Sequence, residues 1–156
     1  MPLVTAQLLV IGYGNTLRGD DGVGPKVVQA VEERHWPGVQ TLICQQLTPE
    51  FADAISRAHT VVFVDAAIDS PREVLLRKIE PADTSQILAH AADPRTMLAL
   101  ARDVFGHAPQ AWWLTIPAEK LDFCEDLSPA AEAGMEKALQ HIEALVQDFA
   151  VGNPGS

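Results

Sequence analysis

The feature that most constrains this chain is a short buried-strand run that breaks into a glycine-punctuated loop carrying two adjacent carboxylates. Leu8-Leu9-Val10-Ile11 is apolar and partly β-branched, the pattern of a strand covered on both faces. It runs into Gly12-Tyr13-Gly14-Asn15-Thr16-Leu17-Arg18-Gly19-Asp20-Asp21-Gly22-Val23-Gly24-Pro25. Gly12 and Gly14 permit a tight turn, and Gly22 and Gly24 let the backbone enter a helix that Pro25 suits in its first turn. The start imitates a dinucleotide-binding fingerprint, G-x-G-x-x-G. Its third glycine position is Leu17, however, and Asp20 and Asp21 stand beside the helix N-terminus that a pyrophosphate would need. Like charges oppose each other there, so the loop points away from nucleotides and toward a cation.

Composition sets independent limits. With 156 residues, 47% of them apolar, the chain can bury one sizeable core. One domain is expected over residues 1–150, followed by a frayed tail over 151–156. A formal charge of −10 argues against nucleic acid, because no Lys and Arg excess is present to neutralise phosphates, and makes a basic protein segment the more natural partner. The N-terminal apolar run is too short to span a membrane and lacks the basic flank and cleavage site of a signal peptide, so a cytoplasmic protein is expected. Cys44 and Cys124 lie far apart without C-x-x-C spacing, which suggests two structural thiols rather than a disulfide scaffold or a zinc site.

Strand-like and helix-like segments alternate, which predicts a single three-layer α/β domain: a mostly parallel twisted sheet with helices on both faces. Val23, Val27, Val28 and Val31 mark one face of a helix ending near His35-Trp36-Pro37-Gly38, and Val39 to Cys44 reads as a strand. Thr48 is placed as the N-cap of a helix with Pro49 in its first turn and Phe51, Ala54 and Ile55 inward. His59 to Asp65 is the clearest buried strand, its apolar run stopping at an acid, and Val74 to Ile79 is a more exposed strand. Pro81 to Ala92 reads as a loop leading to a helix over Pro94–Phe105 that Gly106 stops. Trp112 to Ile116 is a late strand ended by Pro117, and Ser128-Pro129 opens a final helix with Met135, Ala138, Leu139, Ile142, Leu145, Val146 and Phe149 at helical spacing.

Ligands of open α/β sheets bind outside the carboxyl ends of the strands. Asp20 and Asp21 follow the first strand, Asp65 ends another, and His90 lies in a later loop. Two carboxylates and an imidazole would suit Zn²⁺, Ni²⁺ or a similar borderline cation, although residues this far apart define no local metal motif.

The segment Gly12 to Gly24 resembles the N-terminal signature of the NiFe-hydrogenase maturation endopeptidases. The likeness continues through Gln46-Leu47-Thr48-Pro49-Glu50, Val62-Phe63-Val64-Asp65-Ala66, His90 and Leu127-Ser128-Pro129, in order along nearly the whole chain. The resemblance implies a peptidase that removes the C-terminal extension of a hydrogenase large-subunit precursor once nickel is inserted. It implies Asp21, Asp65 and His90 as the residues that engage that nickel and carry the cleavage, with Zn or Cd as a substitute in the isolated protein and no organic cofactor. Some family members carry glutamate where Asp21 stands, and another subgroup has a Gly-Thr segment where this chain has Gln45-Gln46-Leu47-Thr48, which suggests a different hydrogenase partner.

Simpler roles account for several neighbours. Asp20 is expected to brace the glycine turn through backbone N–H groups, Asn15 to hold the loop, and Ser128 to cap a helix rather than act as a nucleophile. Trp112 and Trp113 are expected as one core and one surface aromatic. Two other readings stay open at the level of sequence: a non-enzymatic nickel-binding or chaperone protein using the same three residues, and a nucleotide-binding domain, which Asp20-Asp21 disfavours.

Overall fold

The structure, a computed structural model, describes residues 4–68, 73–83 and 93–152. The strands are β1 (Ala6–Tyr13), β2 (Val39–Cys44), β3 (Ala58–Ala67), β4 (Leu75–Ile79) and β5 (Gln110–Pro117), and the helices are α1 (Val23–Arg34), α2 (Ala52–Ser56), α3 (Pro94–Phe105) and α4 (Pro129–Gly152). They build one five-stranded sheet in the order β2-β1-β3-β5-β4. Its first four members are parallel, and β4 closes the edge antiparallel to β5.

The period-2 alternation of the strands divides the core between the two faces. Leu8 and Val10 of β1, Val62 and Val64 of β3, and Leu114 and Ile116 of β5 pack with Val23, Val27, Val28 and Val31 of α1 and Ala138, Leu139 and Ile142 of α4. The intervening residues Leu9, Ile11, Val61 and Phe63 meet Ile55 of α2 and Met97, Leu98 and Ala101 of α3 on the other face. Helices therefore cover both faces, the three-layer arrangement expected of near-continuous apolar parallel strands. Among the described residues, no helix is long and apolar enough to cross a membrane.

The local details differ from the sequence expectation in three places. Thr48 holds the N-cap position with Pro49 in the first turn, as expected, but its Oγ1 donates to the Glu50 carboxylate at 3.0 Å instead of capping, and the first turn is a 3-10 turn over Pro49–Phe51 before five residues of α2. The strand at Asp65 runs on through Ala67, because Asp65, Ala66 and Ala67 pair with Thr115, Ile116 and Pro117 of β5. Trp112 and Trp113 do not divide into core and surface. Successive strand residues face opposite ways, and both faces of β5 are covered, so each is half-buried against a different core cluster.

The helix ends follow ordinary chemistry. His35 takes a left-handed conformation at φ 52° to end α1. The Asp93 carboxylate accepts from Arg95 N at 2.7 Å to cap α3, which Gly106 ends at φ 85°. Ser128 Oγ accepts from Ala131 N at 3.1 Å and caps α4, the role read from its Ser-Pro context. Residues 153–156 of the expected tail lie outside the described residues.

Candidate active site at the carboxyl edge of the sheet

The chain leaves β1 for β2 on one side and β3 on the other, which makes the carboxyl ends of β1 and β3 the switch point of the sheet. Glycine lets α1 cross directly above them. A Cβ on Gly24 would lie 2.5 Å from Val64 O, and one on Gly12 would lie 2.4 Å from Gly24 O, so neither position has room for a side chain. Gly14, at φ 146°, turns the loop back under the Gly19–Gly22 3-10 turn, where a Cβ would lie 1.9 Å from Asp21 O. Asn15 holds the returning loop as its sequence context suggests: its Oδ1 accepts from Leu17 N at 2.9 Å. Its own N–H donates to Asp21 Oδ2 at 2.7 Å, which orients that carboxylate.

The two neighbouring aspartates do different work. Asp20 is fully buried. Its Oδ2 accepts from Glu119 N at 2.7 Å, Lys120 N at 2.9 Å and Ser128 Oγ at 2.7 Å, while Oδ1 accepts from Ser128 N at 2.7 Å. Asp20 is thus a brace, but one that ties the first loop to the segment between β5 and α4 rather than to its own glycine turn. Burial alone would raise its pKa; the donors from Lys120, Ser128 and Glu119 prevail and hold it below the ordinary carboxylate range. Asp21 has no such cage. It is part-exposed and stands at the edge of the sheet.

Asp65 is part-buried near the end of β3. Desolvation by burial pushes its pKa up to about 6, the Asp21 charge adding in the same direction, against the pull of the Tyr13 hydroxyl and the Ala66 N–H. Two segments distant in sequence thus bring their carboxylates close enough to repel. Burial, and next the charge of Asp65, keeps the Tyr13 phenol protonated well above its ordinary range. Trp113 Nε1 approaches both groups closely enough to lower their pKa values. It completes a well-formed hydrogen bond with neither, and the indole N–H stays buried without a partner. The Asp93 charge also bears on Tyr13, which brings the start of α3 to the same edge.

Tyr13 is the residue that sequence reasoning passed over. Between two glycines it reads as loop, and the one available signal is that the chain's only tyrosine ends its first strand. Cys44 lies opposite Tyr13 in the β1–β2 register, and burial pushes its thiol up, in keeping with a structural role. Among the described residues, no three His, Cys, Asp or Glu side chains are placed to hold a metal ion. The charge of Asp21 reaches Asp65, and His90 lies outside the described residues.

No protein-family model matches the chain. Two characterised proteins do. It is 26% identical to the hydrogenase 2 maturation protease of Escherichia coli over 155 residues, spanning 93% of each chain. It is also 26% identical to the hydrogenase expression/formation protein HupD of Thiocapsa roseopersicina over 156 residues, spanning 93% of this chain and 70% of that one. Among solved structures, the fold matches the hydrogenase maturating endopeptidase HybD of E. coli with a TM-score of 0.72 at 22% identity, over 91% of this chain and 93% of that one. It also matches the hydrogenase maturation protease HybD of Thermococcus kodakarensis with a TM-score of 0.65 at 22% identity, over 90% and 99% of the two chains.

Proposed function

The chain belongs to the hydrogenase maturation protease family, and from that premise we propose that it is the endopeptidase that removes the C-terminal extension of a nickel-loaded NiFe-hydrogenase large-subunit precursor. The observation that carries this reading is that the charge of Asp21, in the acidic loop after β1, reaches Asp65 near the end of β3 at the switch point of the sheet. His90 is the third member of the set. It enters through the family pattern, in which a histidine of a later loop completes the two acids.

Two carboxylates and an imidazole suit nickel, a borderline cation that arrives with the precursor and makes metal loading the signal for cleavage. The nickel supplies a Lewis acid beside the scissile bond. A pKa of about 6 lets Asp65 exchange a proton near neutrality, whether on engaging the cation or as a base toward the attacking water. The Tyr13 hydroxyl, held protonated, works against burial and lowers the pKa of that carboxylate.

The test is incubation of the purified protein with nickel-loaded and nickel-free precursor, followed by intact mass. Loss of a C-terminal peptide from the loaded form alone is expected. An uncut cognate loaded precursor would replace this reading with nickel binding without hydrolysis.

A further inference from the structure

The segment between β5 and α4 is held in a way that ordinary connecting loops are not. Asp20 takes the N–H groups of Glu119, Lys120 and Ser128. Asp20 N donates to Lys120 O at 2.6 Å and Gly19 N to Cys124 O at 2.8 Å. Arg18 and Cys124 form a parallel bridge, and Lys26 Nζ donates to Glu125 O. A loop fastened at so many backbone points presents its side chains from a rigid base.

What it presents is apolar. Phe123 is 84% exposed. The bridge brings the segment that carries Phe123 against the loop that carries Leu17, itself 44% exposed. Aromatic side chains held on a preorganised support are common anchors of protein interfaces. Exposed acids surround the pair: Glu119, Asp122, Glu125 and Asp126, against Arg18, Lys26 and Lys120 as the nearby cations. A cleft of about 190 Å³ shares Glu119 with the loop and is lined by Pro117, Ala133 and Gly134, with Glu73 and Lys137 also on it.

We propose that Phe123 and Leu17, with the acids of residues 119–126, form the docking surface for the polypeptide substrate, which places an apolar side chain flanked by Lys or Arg against them. The inference rests on the endopeptidase reading for the identity of the substrate. Leu17 belongs to the same loop as Asp21, so a segment seated on the surface passes the candidate active site, and the acidity of the surface matches a basic segment rather than another acidic chain. Because the base is rigid, binding loses little entropy in ordering the loop.

The test measures the affinity of the nickel-loaded precursor for the wild-type chain, for Phe123→Ala, and for the triple variant Asp122→Asn, Glu125→Gln, Asp126→Asn, with cleavage followed by mass. Phe123 packs on nothing it would leave unfilled, so its variant should melt with the wild type. Phe123→Ala should raise Kd about tenfold, as for an interface anchor. The wild-type Kd should weaken with added salt, and the triple variant should lose most of that dependence. Both variants binding like the wild type, with cleavage intact, would overturn the docking surface and leave the endopeptidase reading standing. Loss of binding in the variants with no cleavage by the wild type would support the surface and end the peptidase reading. A wild type that neither binds nor cleaves would end both. A wild-type dimer in sedimentation that Phe123→Ala dissolves would assign the patch to a second copy and overturn the proposal.

Discussion

Asp20 and Asp21 are the same residue type in adjacent positions, and only their surroundings separate them. Asp20 meets four donors in the interior, whereas Asp21 meets one at the edge. Replacing Asp20 by Ala strands one buried backbone N–H group, at Ser128, and two part-buried ones, at Glu119 and Lys120; the buried one alone costs about 1–3 kcal/mol. The variant should unfold at markedly lower denaturant, and Asp20→Asn should fall between it and the wild type. Because the folded state depresses the pKa of Asp20, its contribution is present above the unfolded carboxylate pKa and is lost as pH falls through the lower folded value. Asp65 has the opposite sign. Its folded pKa of about 6 lies above the ordinary aspartate value of 3.8, so ionising it opposes folding at neutral pH and the penalty vanishes once both states are protonated. In metal-free protein, Asp65→Asn should therefore raise the melting temperature at pH 8, and the gain should shrink as pH falls toward about 4. The same variant should lose precursor processing, as should Asp21→Asn and His90→Ala, and retained processing in all three would end the metal-engaging set.

At the scale of elements, the glycines divide by what surrounds them. Gly24 lies where β1, β3 and α1 cross, with Val64 O and Tyr13 O in the space a methyl group would need. Gly106, at φ 85°, has nothing within 4 Å of where a methyl group would stand. Gly106→Ala should cost only the strain of the left-handed backbone, about 1 kcal/mol by melting. Gly24→Ala should cost several times more, since only backbone movement relieves the overlap and that movement shifts the loop carrying Asp21. Strand and helix positions were legible from periodicity because local pattern and burial agree, as in Val39–Cys44 and Pro94–Phe105. The start at Thr48 was legible too, but not the use of its hydroxyl, which had two acceptable partners nearby and went to the Glu50 carboxylate. Edge strand β4 was read as exposed from its mixed charge; its antiparallel direction depends on where the chain returns to the sheet.

At the scale of the whole molecule, the sheet acts as one rigid support between two core layers. Phe63, fully buried on the α2 and α3 face, is two residues before Asp65 in β3. Phe63→Ala should destabilise the chain by about 3–5 kcal/mol. Hydrogen exchange should then accelerate in β1, β3 and β5 together, since these strands share one ladder. The amino-acid sequence by itself determined the alternation of strands and helices, the parallel core, the glycine-punctuated turn from strand to helix and the acidity that turns the first loop away from phosphate, because each depends on neighbours within a few residues. The cage around Asp20, the reach of the Asp21 charge to Asp65, the burial of Tyr13 near that carboxylate, and the bare Phe123 on a segment bridged to the Leu17 loop were decided only in the tertiary structure. Each joins segments dozens of residues apart, and burial, which sets their charge and exposure, exists only once the sheet has closed over them.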